Sequence, residues 1–359
     1  MNAAQTGSTV ADSIVEWKAQ FSDALEQFDF AKPILILTHH DADGLSSGAI
    51  FKRAFSKLHR AANVRILGRG ENPWHEAVQL ELRDLDIGGL IVTDLGVRPG
   101  VIRPNTPTVL VDHHHPLGYP PDATVITGYG TEPTPTSGLM ALWCVQELTD
   151  ADDLIWLAAI SIIGDMAEQS GFQELALARE KFGITALRGA TSLLNAARRS
   201  GSGSAQPAFE LLMKAENPRE VTSGEFPETE VLQKAREEVA AAMAISKRIA
   251  PKTKGNVALI LIDSPCQIHP LIAQQWKSRL HKNIVMVANK GYRPGWVHFS
   301  IRSATGLNLI DFLKEKAPSS ADENYGSGHV QATGGALTYE GWNEFVSNLG
   351  FGPEMYVKL

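Results

Sequence analysis

Short apolar runs alternate with segments of helical periodicity in the first third of the chain. The runs predict four strands, at Ile34–Leu37, Val64–Leu67, Leu90–Thr93 and Thr108–Val111. Runs that are continuously apolar, rather than alternating, are typical of strands covered on both faces. Helices are predicted over Gly44–His59 and Glu76–Leu85. This alternation of strands and helices indicates βαβ units and a largely parallel sheet.

Helical patterns dominate the middle of the chain, and a second set of strands follows them. The predicted helices are Leu139–Leu148, Asp153–Ile163, Leu175–Arg199 and Glu228–Ile249, the last ended by Pro251. The later elements are strands at Val257–Ile262, Ile284–Ala288 and Trp296–Ile301, a helix at Asn308–Lys316 and a glycine-rich turn at Gly326–His329. We therefore predict an α/β protein with a larger domain over residues 1–225, a connecting helix over 226–250 and a smaller α/β domain over 251–359.

The composition narrows the class of protein further. The 359 residues are 43% hydrophobic and carry a formal net charge of −7, which argues against a protein that coats long nucleic acid by charge alone. Cys144 and Cys266 lie far apart, so no disulfide framework or cysteine metal motif is expected. Neither a signal peptide nor a membrane-spanning stretch is recognisable, and we expect a cytoplasmic protein.

Acidic and imidazole side chains cluster where the predicted elements of the first domain end. The clusters are His39-His40-Asp41-Ala42-Asp43-Gly44, Asp94, Asp112-His113-His114 and Asp165. Ligands of open α/β sheets lie at the carboxyl ends of the strands. Asp41 and Asp43 are two residues apart, and an extended segment would point both carboxylates the same way. Carboxylates together with imidazoles suit a divalent transition metal such as manganese.

Each cluster also has an ordinary structural interpretation. Asp41 and Asp43 are suitable helix N-caps, Asp94 suits a turn before Gly96, and Asp165 suits a helix end. His113 to His115 would fit a solvated loop. Four such clusters at one sheet edge are nevertheless hard to explain as coincidence, because so many carboxylates repel one another unless a cation binds between them.

In order and context, the four clusters resemble the motifs of the DHH phosphoesterase superfamily, which includes RecJ-type exonucleases and nanoRNases. The segments Ser300–Ser303 and Gly326–Gly335 resemble the DHH-associated C-terminal domain. The resemblance implies two divalent cations, manganese first, with magnesium or cobalt as alternatives. It also implies an active-site cleft between the two domains.

The resemblance further implies a role for each residue. Asp94 would bridge both ions, and Asp41 would hold one of them with His39. Asp43, His113 and Asp165 would hold the other, and His114 would contact the scissile phosphate. Asp112 would support an imidazole from behind, as carboxylates next to ligand histidines often do. His39 stands only two residues before Asp41, closer than in many members of the superfamily, so His40 or neither histidine remains an alternative ligand.

The second domain is expected to bind the substrate. The candidate residues are Arg302, Ser303, Gly326, Gly328, His329, Gly334 and Gly335. A glycine-rich turn can present backbone N–H groups to an anion, and arginine can clamp a phosphate. The alternative is a plain tight turn, with Arg302 in a surface ion pair.

Four further features have weaker signals. Tyr325 suits either base stacking or packing, and the helix start at Ser137-Gly138 suits either phosphate binding or a plain cap. His115 is expected in a loop, and Arg198-Arg199 on a solvated face.

Together these features predict a two-metal phosphodiesterase that hydrolyses short oligonucleotides or linear dinucleotides to mononucleotides. The alternatives are a RecJ-like exonuclease that digests longer single-stranded DNA or RNA, and a non-catalytic metal-binding scaffold for nucleic acid or a replication partner. The acidic net charge, and the lack of a recognisable third domain of the OB type, favour short substrates. A homodimer is compatible with the sequence.

Overall fold

Five short strands of the first part of the chain form a sheet in which every neighbouring pair is parallel. The strands are β1 Ile34–Thr38, β2 Ala62–Ile66, β3 Gly89–Thr93, β4 Thr108–Asp112 and β5 Ala123–Thr127, and their spatial order is β2-β1-β3-β4-β5. The order reverses direction between β1 and β3, which makes this position the topological switch point of the sheet. Thr38 pairs with Thr93, so the residues that follow β1 and β3 leave the sheet side by side.

The computed structural model describes residues 10–321 and 325–358, and for residues 327–329 it describes the backbone. The chain divides into two compact units. The first unit consists of Met1–Arg198 and Gly203–Gln233, and the second consists of Arg199–Ser202 and Lys234–Leu359. Within the described ranges, no helix combines the length and the hydropathy needed to cross a membrane.

Helices cover both faces of the parallel sheet. The helices in this part of the chain are α1 Val10–Leu25, α2 Ala42–Lys57, α3 Glu76–Arg83, α4 Ser137–Gln146, α5 Ile155–Gly164, α6 Gln173–Phe182, α7 Ile184–Arg199, α8 Gln206–Lys214, α9 Pro218–Ser223 and α10 Pro227–Ser246, of which α10 begins in the first unit and ends in the second. Successive residues of β1 enter different cores, because side chains alternate across a strand. Ile34 and Ile36 join the larger core, whereas Leu35 and Leu37 join a smaller one with Val78 of α3. The prediction of a parallel sheet buried on both faces is confirmed.

The second unit contains a six-stranded mixed sheet. Its elements are β6 Lys252–Lys254, β7 Val257–Ile262, α11 His269–Arg279, β8 Ile284–Arg293, β9 Trp296–Ser303, α12 Leu309–Lys316, β10 Tyr325–His329, β11 Ala332–Thr338 and α13 Tyr339–Asn348. The strand order is β10-β11-β9-β8-β7-β6, with only β7 and β8 parallel among the described strands. Phe299 and Ile301 of β9 enter the core with Trp342, while Val285 and Val287 of β8 enter a second core.

Two local predictions are wrong. Gly326–His329 is not a turn but forms strand β10, which pairs with β11. Helix α10 ends at Ser246, before Pro251 is reached. The segment Leu175–Arg199 is mostly helical, as predicted, and Gly183, with φ +84°, separates α6 from α7. The sequence patterns also left the following elements unrecognised: α1, α8, α9, α11, α13, β5, β6 and β11.

Candidate metal centre

The loop after β1 begins the site. Asp41 is the N-cap of α2, and its Oδ1 accepts a hydrogen bond from the backbone N–H of Gly44 at 3.1 Å. A Cβ on Gly44 would lie 2.6 Å from the Cβ of His39, so the tight path of this loop requires glycine. His39 Nδ1 lies 3.1 Å from Asp41 Oδ1 and 3.4 Å from Asp94 Oδ2. The capping role and a place in the acidic cluster therefore coincide at Asp41.

Asp43 lies inside α2 and contacts a different helix. Because α2 begins at Ala42, the prediction that Asp41 and Asp43 share an extended segment is wrong. Asp43 Oδ1 accepts hydrogen bonds from the N–H of Gly138 at 2.7 Å and from Ser161 Oγ at 2.6 Å. Its Oδ2 accepts from the N–H of Ser137 at 3.0 Å. The start of α4 is thus capped by a carboxylate of the site itself.

His113 follows β4 and points into the carboxylates. Its Nε2 lies 3.3 Å from Asp165 Oδ2 and 3.7 Å from both Asp43 Oδ2 and Asp94 Oδ1. Asp165 is the C-cap of α5, so the helix end brings it to the edge of the sheet. Carboxylates from two helices and from the loop after a strand therefore converge on one imidazole.

Asp94 connects the parts of the site. It follows β3, is 3% exposed and has a backbone φ of +60°. Left-handed backbone is uncommon for residues other than glycine, and such strained positions concentrate at functional sites. Ser137 Oγ donates a hydrogen bond to Asp94 Oδ1 at 3.0 Å. Potential ligand atoms lie within 4.8 Å of one another in three groups: His39/Asp41/Asp94, Asp94/His113/His114 and Asp43/His113/Asp165.

Asp112 orients His114. Its Oδ1 accepts hydrogen bonds from the backbone N–H of His114 at 2.7 Å and from the ring Nδ1–H of His114 at 3.0 Å. Its Oδ2 accepts from the N–H of Gly96 at 2.7 Å. These bonds place the ring proton of His114 on Nδ1 and leave its Nε2 edge for another group. The His114 side chain is 45% exposed, so that edge can meet a molecule from solvent.

The electrostatics of the cluster favour a bound cation. Burial raises the pKa of Asp94 well above its ordinary value, and the neighbouring carboxylates Asp43 and Asp41 add to the rise. Burial and the same neighbours raise the pKa of Asp165. Burial alone would lower the pKa of His114, but its hydrogen bond to Asp112 and the charge of that carboxylate raise the pKa to about 9. Without a cation, these carboxylates are costly to keep ionised together.

The donor atoms fit divalent metal ions. His113 Nε2 is buried and has no hydrogen-bond partner in residues 10–321 and 325–358, although three carboxylates surround it. Such an orphaned nitrogen among oxygen donors is suited to coordinate a metal. His39, Asp41 and Asp94 could hold one ion, and Asp43, His113 and Asp165 a second.

His40 lies apart from the ligand groups. Its Nδ1 is 3.0 Å from the carbonyl oxygen of Leu67, and the ring is buried. Burial, His39 and Arg198 lower the pKa of His40 to about 2. Of the two neighbouring histidines, the geometry brings His39 to the carboxylates.

Arg198 is a site residue that sequence reasoning missed. The predicted solvated face is wrong for this residue, whose side chain is 18% exposed. Its Nη2 lies 3.6 Å from Asp41 Oδ2, and its Nε donates to Asn195 Oδ1 at 3.1 Å. Asn195 Oδ1 also accepts from the N–H of Ala42 at 3.2 Å, so α7 is tied to the start of α2. Burial raises the pKa of Asp41, but His39 and Arg198 more than offset this and hold it well below its usual value. The sequence offers no more than an asparagine three residues before an arginine, and the burial of Asn195 became visible only in the structure.

Comparison with solved structures identifies the fold of the chain. No protein-family model and no curated protein matches the chain. A manganese-bound exonuclease RecJ matches with a TM-score of 0.63 and 19% identity, over 94% of this chain and 93% of that one. RecJ of Thermus thermophilus in complex with Mn²⁺ matches with a TM-score of 0.66 and 18% identity, over 94% of this chain but 54% of that one. The DHH domain of a member of a ribosomal-protein family matches with a TM-score of 0.67 and 17% identity, over 96% of this chain and 91% of that one.

The chain shares the fold of these RecJ and DHH-domain structures. Identities below 20% establish the fold of the protein and leave its reaction to be argued from the site. In this fold, Asp112 is the last residue of β4 and is followed by His113 and His114, while Asp94 directly follows the neighbouring β3.

In the second unit, Arg302 is a partly buried cation. Its Nη1 donates to Ser300 Oγ at 2.8 Å and to the carbonyl oxygen of Ile301 at 2.9 Å, and burial lowers its pKa. The predicted alternative of a surface ion pair is wrong, since no carboxylate lies within ion-pair distance of it in the described ranges. Ser303 is buried, and its hydroxyl bonds with Thr305 Oγ1 at 2.8 Å. Strand alternation places Ser303 on the opposite face of β9 from Arg302.

The glycines between Gly326 and Gly335 have structural roles of their own. A Cβ on Gly334 would lie 2.4 Å from the carbonyl oxygen of Phe299, so β11 and β9 could not pair as they do. Gly326 has φ +82°, next to an irregularity in the pairing of β10. Gly335 lies in β11 and pairs with Tyr325 of β10 on one side and Phe299 of β9 on the other. The side chain of His329 and the residue Gly328 fall among positions of which only the backbone is described.

Tyr325 packs on Phe299, and its hydroxyl donates a hydrogen bond to the carbonyl oxygen of Leu313 at 2.9 Å. Of the two roles predicted for Tyr325, these contacts support packing rather than base stacking.

Proposed function

We propose that the chain is a divalent-metal-dependent phosphodiesterase that hydrolyses short oligonucleotides or linear dinucleotides to mononucleotides. The observation that carries this proposal is the meeting of several three-residue ligand groups within one unit, with Asp94 common to two of them and His113 common to two. Two metal ions close together stabilise the attacking and leaving oxygens of an in-line displacement at phosphorus. The fold is shared with RecJ structures that hold Mn²⁺ or Mg²⁺, which supports cations of this kind.

Each side chain of the site has a distinct task in the proposal. Asp94 would hold both ions, His39 and Asp41 would complete one ligand set, and Asp43 with His113 and Asp165 would complete the other. His114 donates a hydrogen bond or positive charge to a non-bridging phosphate oxygen, where negative charge grows during the reaction.

Asp112 accepts a hydrogen bond from His114 Nδ1–H at 3.0 Å, which orients the ring so that its Nε2 can face the phosphate. Cations bound at the site would supply the activated water and the Lewis acidity.

The substrate is inferred from charge. Among the described residues, Arg302 has hydrogen bonds to neutral groups only, so a phosphate of the substrate would supply the missing negative charge. A net charge of −7 disfavours a long polyanion, whose binding draws on many cationic contacts. These two features together favour a substrate with few phosphates.

A RecJ-like exonuclease that digests longer single strands is the second candidate. It is supported by the likeness to RecJ over nearly the whole chain, at TM-scores of 0.63 and 0.66. The two candidates differ in the length of substrate they prefer, and they share the metal chemistry.

A ladder of single-stranded RNA and DNA, from dinucleotides to about 30 nucleotides, tests both. Protein stripped with a chelator would be assayed with Mn²⁺, Mg²⁺ or Co²⁺ restored, beside Asp94→Asn and the exposed control Asp122→Asn. We expect metal-dependent release of mononucleotides, with the highest kcat/KM on the shortest substrates, and no turnover by Asp94→Asn. Faster digestion of long strands would select the exonuclease. Binding of nucleic acid without turnover by wild-type protein would select a scaffold and reject both.

A further inference from the structure

A tight turn after β5 presents an exposed aromatic ring that contacts the ring of His115, the residue directly after His114. The backbone N–H of Thr131 donates to the carbonyl oxygen of Gly128 at 3.3 Å, and Gly130 has φ +86° at the third position, as a type II turn requires. Tyr129 occupies the second position of this turn and is 48% exposed. The turn is built to hold Tyr129 toward solvent.

The turn is fixed to the strand that carries the Asp-His-His motif. The N–H of Gly128 donates to the carbonyl oxygen of Asp112 at 2.9 Å, and Asp112 pairs with Thr127 in the β4–β5 ladder. The N–H of Tyr129 donates to Thr127 Oγ1 at 3.1 Å. The position of the aromatic ring therefore depends on the same strand end as that of His114.

His115 holds the ring from the other side. The His115 and Tyr129 rings meet edge to face, with centroids 4.8 Å apart. His115 directly follows His114, whose own ring stands 4.5 Å from that of His113 in a similar arrangement. The exposed ring of His115, directly after the proposed phosphate contact His114, therefore contacts the exposed ring of Tyr129. Rings that are held in place before the substrate arrives lose less entropy on binding.

We propose that Tyr129 and His115 form a stacking platform for a nucleobase of the substrate; this inference rests on the proposed phosphodiesterase function. Base–aromatic stacking tolerates any base, because every base presents a π-face. It also provides affinity that does not depend on positive charge, which a chain of net charge −7 needs when it binds a nucleotide. Tyr129 is 48% exposed, so part of its side chain is accessible to a base.

The test compares Tyr129→Ala, Tyr129→Phe and His115→Ala with wild type. Leu117→Ala is the matched control, because Leu117 is 68% exposed in the loop that follows His115 but has no ring. Steady-state kinetics would be measured on a natural dinucleotide and on an analogue with the same phosphodiester but abasic sugars. In parallel, fluorescence quenching of a non-hydrolysable, phosphonate-linked 2-aminopurine dinucleotide would report stacking directly, with Mg²⁺ present.

Tyr129→Ala should raise KM for the dinucleotide by about 5- to 100-fold with little change in kcat, and should abolish most of the quenching. Tyr129→Phe and Leu117→Ala should behave like wild type, and the abasic analogue should be insensitive to all four changes. An unchanged KM and unchanged quenching in Tyr129→Ala would overturn the platform, as would equal losses on the abasic analogue. Quenching that depends on Tyr129 in a protein without turnover would retain the platform and reject the proposed reaction.

Discussion

The carboxylate of Asp43 accepts a hydrogen bond from the backbone N–H of Gly138 at 2.7 Å, although Asp43 belongs to α2 and Gly138 to α4. Negative charge is stabilised at a helix N-terminus by the unpaired N–H groups and the helix dipole. One carboxylate therefore caps a neighbouring helix and also faces His113. A Cβ on Gly138 would lie 2.6 Å from the Cβ of Ser161, so the approach of α4 to α5 requires glycine at this point.

Ser161→Ala tests whether this arrangement serves metal binding. Ser161 Oγ donates to Asp43 Oδ1 at 2.6 Å in a buried environment, and hydrogen bonds to ligand carboxylates typically change metal affinity by about 10- to 100-fold. We expect the Mn²⁺ concentration for half-maximal activity to rise by about that factor, with most of kcat recovered at saturating metal. Calorimetric titration with Mn²⁺ would measure the same loss directly.

Ser46→Ala is the matched control for Ser161→Ala. Ser46 is a buried serine of α2, and its hydroxyl has no hydrogen-bond partner within residues 10–321 and 325–358. Metal affinity should be unchanged in this variant. Equal affinities in Ser161→Ala and wild type would show that the hydroxyl has no part in holding the ligand.

The part of the site that could be predicted is the part that lies on strand ends. Apolar runs fixed the positions of β1, β3 and β4, and the carboxyl ends of parallel strands meet at one edge. Asp94 and His113 follow such strands directly, so their proximity needed no knowledge of helix packing.

Arg198, Ser137 and Ser161 reach the site from helices. Whether a helical residue meets a strand end depends on how the helix is rotated and placed, which a periodic pattern does not specify. In the second unit, Gly326–His329 was mistaken for a turn because glycine usually marks turns. Here Gly334 is needed in a strand, where the neighbouring backbone approaches closely.

Met166→Gly should stabilise the protein. Met166 has φ +59° and is 74% exposed, and it follows the C-cap of α5, where glycine is usual. The N–H of Ala167 donates to the carbonyl oxygen of Ile162 at 2.9 Å and that of Met166 to Ile163 at 3.1 Å, which is a Schellman motif. Left-handed backbone costs a side-chain residue roughly 1–2 kcal/mol, and the flexibility of glycine in the unfolded chain returns part of this. We expect a net gain of about 0.5–1 kcal/mol in chemical denaturation.

Met166→Ala separates the backbone effect from the loss of the side chain. Alanine also removes the exposed side chain but keeps the Cβ that disfavours positive φ, so it should not stabilise. A gain from alanine as large as that from glycine would contradict the argument from backbone conformation.

His269 should make stability depend on pH. Burial, with the neighbouring His298 and Arg302, lowers the pKa of His269 to about 3, whereas the unfolded chain has an ordinary value of about 6.5. The folded state then binds fewer protons than the unfolded state between these two values. The contribution of His269 is complete above about pH 6.5 and is lost as pH falls toward 3, by up to about 1.4 kcal/mol per pH unit.

Urea denaturation between about pH 7 and pH 4.5 would measure this slope in wild type, His269→Gln and the exposed control His281→Gln. We expect a shallower acid loss only in His269→Gln, because the ring of His281 is in water before and after unfolding. The same slope in all three proteins would mean that His269 is not the responsible group.

Asp94→Asn should stabilise the metal-free protein while it destroys the site. Burial and the neighbouring carboxylates raise the pKa of Asp94, so the ionised form opposes folding when no cation is bound. Asparagine removes the charge at almost the same volume, and it tolerates the φ of +60° that would strain alanine. Each pKa unit corresponds to about 1.4 kcal/mol, and a change of about 1 kcal/mol shifts the Tm of a unit of this size by about 2–4 °C.

Thermal denaturation in a chelator should therefore show a Tm for Asp94→Asn above that of wild type. Adding Mn²⁺ should reverse the order, because only the wild-type cluster then gains from binding. Asp122→Asn, which removes an exposed carboxylate, should leave both measurements unchanged. A lower Tm for Asp94→Asn in the chelator would show that the ionised carboxylate is already compensated by the protein, and that no cation is needed to hold the cluster together.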